Sequence, residues 1–228
     1  MKIAALFSGG KDSTYSIYLA KQMGHEISCL LNIVPYSDES LIFHYPNVRL
    51  TSLLSKSLNI PLLHAATTGI EKTTEISILD RLILNSIEKY SISGLVHGGI
   101  NSNFQRTIFQ KICDKYDIQL ISPIWKANPN DYLSSLIEDG FKVMITSVSA
   151  MGLDVKWLGV VLDGKSLSEL KHLSEKYQFN LTFEGGEGET LVLDCPLYTK
   201  KLHITKFVKK WDGQRGTFEI LNAILINK

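Results

Sequence analysis

The sequence predicts an α/β fold: a doubly wound parallel sheet followed along the chain by a second, smaller α+β domain. Three observations carry that reading. Short apolar β-like runs alternate with amphipathic helical segments through the first two-thirds of the 228 residues. A glycine-rich turn, Ser8-Gly9-Gly10, joins the first run to the first helical segment. Toward the C-terminus the alternation gives way to three successive β-like runs.

Lys2 to Phe7 reads as a buried strand, after which Tyr15, Tyr18, Leu19, Gln22 and Met23 recur at helical spacing up to a stop at Gly24. A second strand spans roughly Glu26 to Val34 and ends at Pro35. Leu50 to Leu58 is a helix, and Leu62 to Ala66 a strand after Pro61. From Glu75 to Tyr90, Ile76, Leu79, Ile83, Leu84 and Ile87 mark one helical face. Leu95-Val96-His97 is a fourth strand, Asn103 to Tyr116 a helix, and Ile118 to Ser122 a fifth strand. Short apolar strands with connections long enough for right-handed crossovers make a parallel sheet covered on both faces. Residues 1–124 therefore form the first domain, with ligands expected at the carboxyl ends of its strands.

Residues 125–228 form the second. Pro123, Ala127-Asn128-Pro129 and Gly140 punctuate shorter elements: helices at Asp131 to Glu138 and Ser166 to Tyr177, and a strand at Lys142 to Ser147. The three late runs are Leu191 to Asp194, Leu202 to Trp211 and Thr217 to Ile226, the last two joined through Asp212-Gly213 as a hairpin.

Composition is that of an ordinary globular protein, 44% apolar and 21% charged. The net charge of +1 argues against a broad basic surface for nucleic acid. Cys29, Cys113 and Cys195 are widely spaced with no CxxC pair, which supports neither a disulfide framework nor a zinc site. No apolar run approaches a signal core or a membrane span, so a cytoplasmic protein without membrane contact is expected.

The chemistry is concentrated in two segments. Ser8-Gly9-Gly10-Lys11-Asp12-Ser13 follows the first strand and opens a helix. Free N–H groups and the positive end of a helix dipole converge there, as an anion requires. Gly9 and Gly10 let backbone approach phosphate oxygens, Lys11 brings a mobile charge, and Ser8 and Ser13 bring hydroxyls. Asp12 is placed either to cap the helix or to hold a metal ion. The spacing is neither that of a Walker A loop nor GxGxxG. The second segment, Glu184-Gly185-Gly186-Glu187-Gly188-Glu189-Thr190, runs into an apolar strand. Its carboxylates suit Mg²⁺, a cationic substrate or deprotonation of an amine, or else simply a solvated turn.

SGGKDS at residues 8–13 resembles the pyrophosphate loop of the N-type ATP pyrophosphatases, a HUP-like class. EGGEGETLVLDCPLY, from Glu184, is similar to the GEGGE-x-ETLVLD-x-PL signature of the diphthine–ammonia ligase family. LLNIVPY, FHYPN, GGINSNFQR, SPIWKANP and GLDVKWLG follow that family's order over nearly the whole chain. Two positions depart from it: Phe183 stands where a glycine is common, and Gly188 where an aromatic is usual. The stretch Thr68 to Glu75 resembles a family G-x-K-E-x-E segment with one residue more. The length suits an archaeal-type enzyme without the C-terminal domains of eukaryotic relatives.

The resemblance implies ATP-dependent amidation of diphthine on translation elongation factor 2 with ammonium, through an acyl-adenylate, with ATP and Mg²⁺ as cofactors. It implies ATP contacts from Ser8, Gly9, Gly10, Lys11, Asp12, Ser13, Gly98 and Gly99, with Asp12 toward Mg²⁺. Lys11, Arg106, Glu187 and Glu189 are the catalytic candidates. His44, Glu75, Asn101, Gln105, Glu184 and Thr190 are the substrate-binding ones. Arg106 has a surface salt bridge as its alternative, His44 a structural role, and the walls suggested by Trp125 and Trp157 simple packing. Other readings share the loop: a tRNA-modifying enzyme, a non-catalytic nucleotide sensor, and a ligase amidating another carboxylate.

Overall fold

The computed structural model describes residues 1–34, 50–66 and 72–228. The chain divides into two compact units, residues 1–125 and 126–228.

Unit one is a five-stranded, all-parallel sheet in the order β3-β2-β1-β4-β5. Its strands are β1 (Lys2–Leu6), β2 (Glu26–Val34), β3 (Leu62–Ala66), β4 (Gly94–Val96) and β5 (Gln119–Ile121). Between them run α1 (Lys11–Gln22), α2 (Thr51–Leu58), α3 (Lys72–Tyr90) and α4 (Asn103–Lys115). Strands with no solvated face read as continuous apolar runs, and β1 and β2 are such runs. Ala4 of β1 and Cys29, Leu31 and Ile33 of β2 pack in one cluster with Ile78, Leu79, Leu82 and Ile83 of α3 and Phe109 and Ile112 of α4. The alternate residues Ile3, Ala5 and Leu30, also buried, point to the other face. Helix α2 ends at Asn59 in the left-handed region (φ +53), one route to a sharp C-terminus before Pro61.

The order reverses between β1 and β4: from β1 the chain adds β2 and β3 on one side, then β4 and β5 on the other. The loops after β1 and β4 therefore flank the crevice where open α/β sheets bind ligands.

Unit two is a four-stranded antiparallel sheet, β7-β6-β9-β8. It comprises β6 (Lys142–Val148), β7 (Gly188–Asp194), β8 (Lys201–Trp211) and β9 (Gly216–Ile226), with α5 (Pro129–Glu138) and α6 (Gly164–Tyr177). Asn128 caps α5 with Pro129 in its first turn, and Asp163 and Ser166 form a reciprocal capping box on α6. Strands β8 and β9 pair as the expected hairpin, Asp212 Oδ1 accepting the N–H groups of Gln214 and Arg215 at the turn. Trp157 lies in a short 3₁₀ turn (Val155–Trp157) that the periodicity did not mark, and is buried in this unit's core. It packs in that core.

All three cysteines are free and buried. Among the described residues no helix is long and apolar enough to cross a membrane.

Candidate functional site

Strand β1 is the central strand of its sheet, and Phe7 keeps it in register by donating its N–H to the Leu31 carbonyl. The next three residues leave the strand. Gly9 has φ +81, a conformation costly for any side chain, and α1 starts at Lys11. The two serines tie the loop together: Ser8 N donates to Ser13 Oγ at 3.3 Å, and the two hydroxyls lie 3.1 Å apart. Gly10 N donates to Ser8 Oγ, while Ser13 Oγ and Thr14 Oγ1 both donate to the Gly10 carbonyl. Gly10, and not Asp12, is the N-cap of α1, and it makes no side-chain cap hydrogen bond.

Lys11 departs from a freely mobile charge. It is only 3% exposed, and its Nζ lies 2.9 Å from Asp12 Oδ2. A buried ammonium needs a counter-charge, and the adjacent carboxylate supplies it.

The loop after β4 backs onto this turn. A Cβ on Gly98 would sit 2.6 Å from the Asp12 carbonyl carbon and 2.7 Å from Ser13 N, so only glycine allows the two backbones to meet. Gly99 is shaped by a different neighbour, the ring of His97, whose Nδ1 would lie 3.0 Å from an added Cβ. His97 is 2% exposed and ends the apolar run just beyond β4. Its Nδ1 accepts the Gly99 N–H at 3.1 Å, its Nε2 lies 2.7 Å from Ser122 Oγ, and Phe109 meets it edge-on. Burial, and secondarily the Arg106 guanidinium, push its pKa down to about 4. The ring is neutral at physiological pH.

Arg106 stands in the first turn of α4, a helix capped by Ser102. Its guanidinium stacks 4.5 Å from the centroid of Trp125, which engages that ring face and leaves the guanidinium edge for anions. Gln105 is half-buried beside it and Asn101 is exposed. Glu75 sits in the first turn of α3, one turn ahead of Ile78 and Leu79 on the stripe that packs against the sheet. It is 3% exposed, and its Oε2 has no hydrogen-bond partner among the described residues. His44 lies outside the described residues, as does FHYPN and Thr68 to Glu71.

The acidic segment belongs to unit two and leads into β7. Glu187 Oε1 accepts the Asn180 N–H at 3.0 Å and Oε2 the Gly185 N–H at 2.8 Å. Ser149 fastens the same turn, donating its hydroxyl to the Gly186 carbonyl and its N–H to the Glu187 carbonyl. Glu184, Glu189 and Thr190 are half-buried, the last two on β7 paired with β6. No group of three His, Cys, Asp or Glu side chains positioned for a metal occurs among the described residues.

Sequence reasoning singled out the loop, Gly98, Gly99 and Arg106, which this unit brings to the ends of β1 and β4. It missed His97 and Ser122. The available signal was a histidine between an apolar run and a glycine pair; nothing in the spacing marks Ser122 as its partner.

Comparison with known proteins covers both units. A family model described as the diphthamide synthase N-terminal domain matches residues 1–120, and one described as its C-terminal domain matches residues 128–226. A Homo sapiens protein named diphthine–ammonia ligase is 34% identical over 220 residues, 89% of this chain and 82% of its own length. A Danio rerio protein of that name is 32% identical, covering 90% and 86%. The Schizosaccharomyces pombe protein of that name is 30% identical over 90% of this chain but only 36% of its own. The chain thus spans most of the Homo sapiens and Danio rerio proteins and about a third of the Schizosaccharomyces pombe one. A solved Methanocaldococcus jannaschii chain, titled a predicted subunit of tRNA methyltransferase, aligns at 17% identity and a TM-score of 0.45 over 86% of this chain and 98% of that one, too distant to inform the fold. With both domain models matched and vertebrate relatives aligned over most of their length, the chain belongs to the diphthine–ammonia ligase (diphthamide synthase) family.

Proposed function

We propose that this chain amidates diphthine, a modified histidine of translation elongation factor 2, to diphthamide, consuming ATP and ammonium and releasing AMP and pyrophosphate. The observation that carries the reading is the match of both family domains along one chain. The loop after β1, closely backed by Gly98, supports it independently as a cradle for phosphate oxygens. In this reading unit one is an N-type ATP pyrophosphatase domain of the HUP-like class, and unit two binds the acceptor.

An oxygen of the diphthine carboxylate attacks the α-phosphorus of ATP. The bond from that phosphorus to the bridging oxygen breaks, and pyrophosphate leaves an acyl-adenylate. Ammonia then attacks the acyl carbon, the carbon–oxygen bond to AMP breaks, and the nitrogen loses a proton. Ser8, Gly9, Gly10, Ser13, Gly98 and Gly99 line the phosphates. Lys11 exchanges Asp12 for phosphate oxygen as its counter-charge, which leaves Asp12 as the loop's carboxylate for Mg²⁺. When bound, that ion neutralises polyphosphate charge. Arg106, steadied by Trp125, takes a carboxylate or phosphate through its guanidinium edge. Asn101, Gln105, Glu75 and His44 contact the substrates. Glu189, with Glu184 and Thr190 beside it, handles ammonium, while Glu187 holds the turn that presents them.

The test is release of AMP and pyrophosphate with ammonium and diphthine-bearing elongation factor 2 present or omitted. Turnover requiring both, with an amide gained by the factor, is the expected result. ATP binding without AMP under any combination refutes the ligase. AMP formed only with other acceptors keeps the loop chemistry and refutes the substrate.

A further inference from the structure

His97 and Ser122 stand at the carboxyl ends of neighbouring strands, β4 and β5, inside one hydrogen bond of each other. The direction of that bond follows from the atom on the far side of the ring. Gly99 N–H can only donate, so His97 Nδ1 is an acceptor and carries no proton. A neutral ring then has its proton on Nε2 and donates it to Ser122 Oγ. Burial of His97 to 2% exposure keeps the ring neutral and so keeps that assignment.

Two consequences follow. With its hydroxyl oxygen already receiving a proton, Ser122 is not an activated nucleophile: a general base would have to face it with a bare nitrogen. Conversely, its own hydroxyl proton is pointed away from the ring, and no acceptor among the described residues takes it. Ser122 is half-buried, and the His97 ring that holds it folds over Gly99, next to the Gly98 contact with Asp12 and Ser13. The adjoining turn, closed by Trp125 N–H to the Ser122 carbonyl, carries the ring on which Arg106 stacks. A spare hydroxyl proton at the ends of parallel strands, on the turn whose Trp125 ring holds the Arg106 guanidinium, suits an anionic oxygen.

We propose that Ser122 is a substrate-binding residue that donates its hydroxyl to an anionic oxygen in this crevice, and that His97 is the positioning residue that fixes the donor's direction. The proposal rests on the nucleotide-site reading of unit one. The oxygen belongs either to an ATP phosphate or to the acceptor carboxylate, and the experiment separates them.

Two-bond proton–nitrogen NMR of the wild type is expected to show Nε2 protonated and Nδ1 bare at pH 7; the opposite tautomer overturns the proposal. Calorimetric titration of Ser122→Ala with ATP, and its KM for diphthine-bearing factor, form the second arm. One of the two weakens about tenfold or more, the range for a hydrogen bond to a charged group, and Ser122→Thr restores it. Loss in the ATP titration assigns the oxygen to phosphate; loss confined to the acceptor KM assigns it to the carboxylate. His97→Leu, if folded, shows a smaller loss on the same substrate. If Ser122→Ala matches the wild type in both, the relay falls and the nucleotide reading stands. If the wild type binds neither ATP nor inorganic pyrophosphate, the nucleotide reading falls and takes the relay with it.

Discussion

The ring of Phe183 lies directly against Gly188: a Cβ added to that glycine would stand 3.1 Å from Phe183 Cδ2 and Cε2. Phe183 is itself buried at φ +65, a conformation that favours glycine. The two positions at which the sequence departs from the signature it resembles are thus in direct contact with each other. Gly188→Ala is expected to destabilise by about 1–3 kcal/mol through overpacking. Phe183→Gly in that background offsets only the part owed to the ring, because the Ser147 carbonyl would still lie 2.6 Å from the new Cβ. A double-mutant cycle by chemical denaturation should give a favourable coupling of about 1 kcal/mol; strict additivity would disprove the pairing.

Gly98→Ala places a methyl against the backbone of Asp12 and Ser13, where no flexible side chain can yield. The loop from Ser8 to Ser13 must shift, and displacement by about 1 Å at a reacting site costs on the order of a hundredfold. ATP-dependent AMP formation should fall by about that factor, and the same overpacking should cost about 1–3 kcal/mol of stability. Activity within twofold of wild type would show that the loop tolerates the move.

His97 has a folded-state pKa of about 4 against an ordinary 6.5, owing to burial and then to Arg106. A histidine depressed in the folded state binds fewer protons there than when unfolded. Its contribution is therefore intact above pH 6.5, declines as the pH falls, and is fully lost below about 4. The amount is about 3 kcal/mol. Denaturation midpoints measured from pH 7 to pH 4 should drop more steeply for the wild type than for His97→Phe.

Glu187 spends both carboxylate oxygens on backbone N–H groups. Glu187→Gln turns an amide nitrogen toward one of those donors, so it should lose about 1–3 kcal/mol of stability and raise KM for ammonium little. Glu189→Gln should do the reverse. Steady-state kinetics in ammonium for the pair decides between them.

Burial pushes the Cys29, Cys113 and Cys195 thiols up to about 12. All three stay protonated at pH 8, so Ellman's reagent should label the native chain slowly and take up three equivalents on denaturation. Rapid native labelling would contradict the burial.

What was legible in the sequence was what is contiguous. The glycine loop announces itself because strand, glycines, lysine and helix start fall within a few residues, and the apolar runs of β1 and β2 mark strands of a covered parallel sheet. The mobile charge expected of Lys11 was not borne out, because burial and pairing with Asp12 depend on how α1 packs. The His97–Ser122 bond joins residues 25 apart through the register of β4 with β5, which no local pattern encodes. The partners of Glu187 are backbone amides, silent in any sequence, so nothing local marks it as the residue that fastens its turn.

The position of β1 has a consequence for how the chain comes into being. Strand β1 precedes the rest of its sheet along the chain yet lies in the middle of it, with β2 on one side and β4 on the other. Its second flank stays bare until residues 94–96 have left the ribosome. Until then the glycine turn that follows it has no Gly98 to rest on. The turn thus lacks its backing during most of the synthesis of unit one and gains it with the strand that closes the gap.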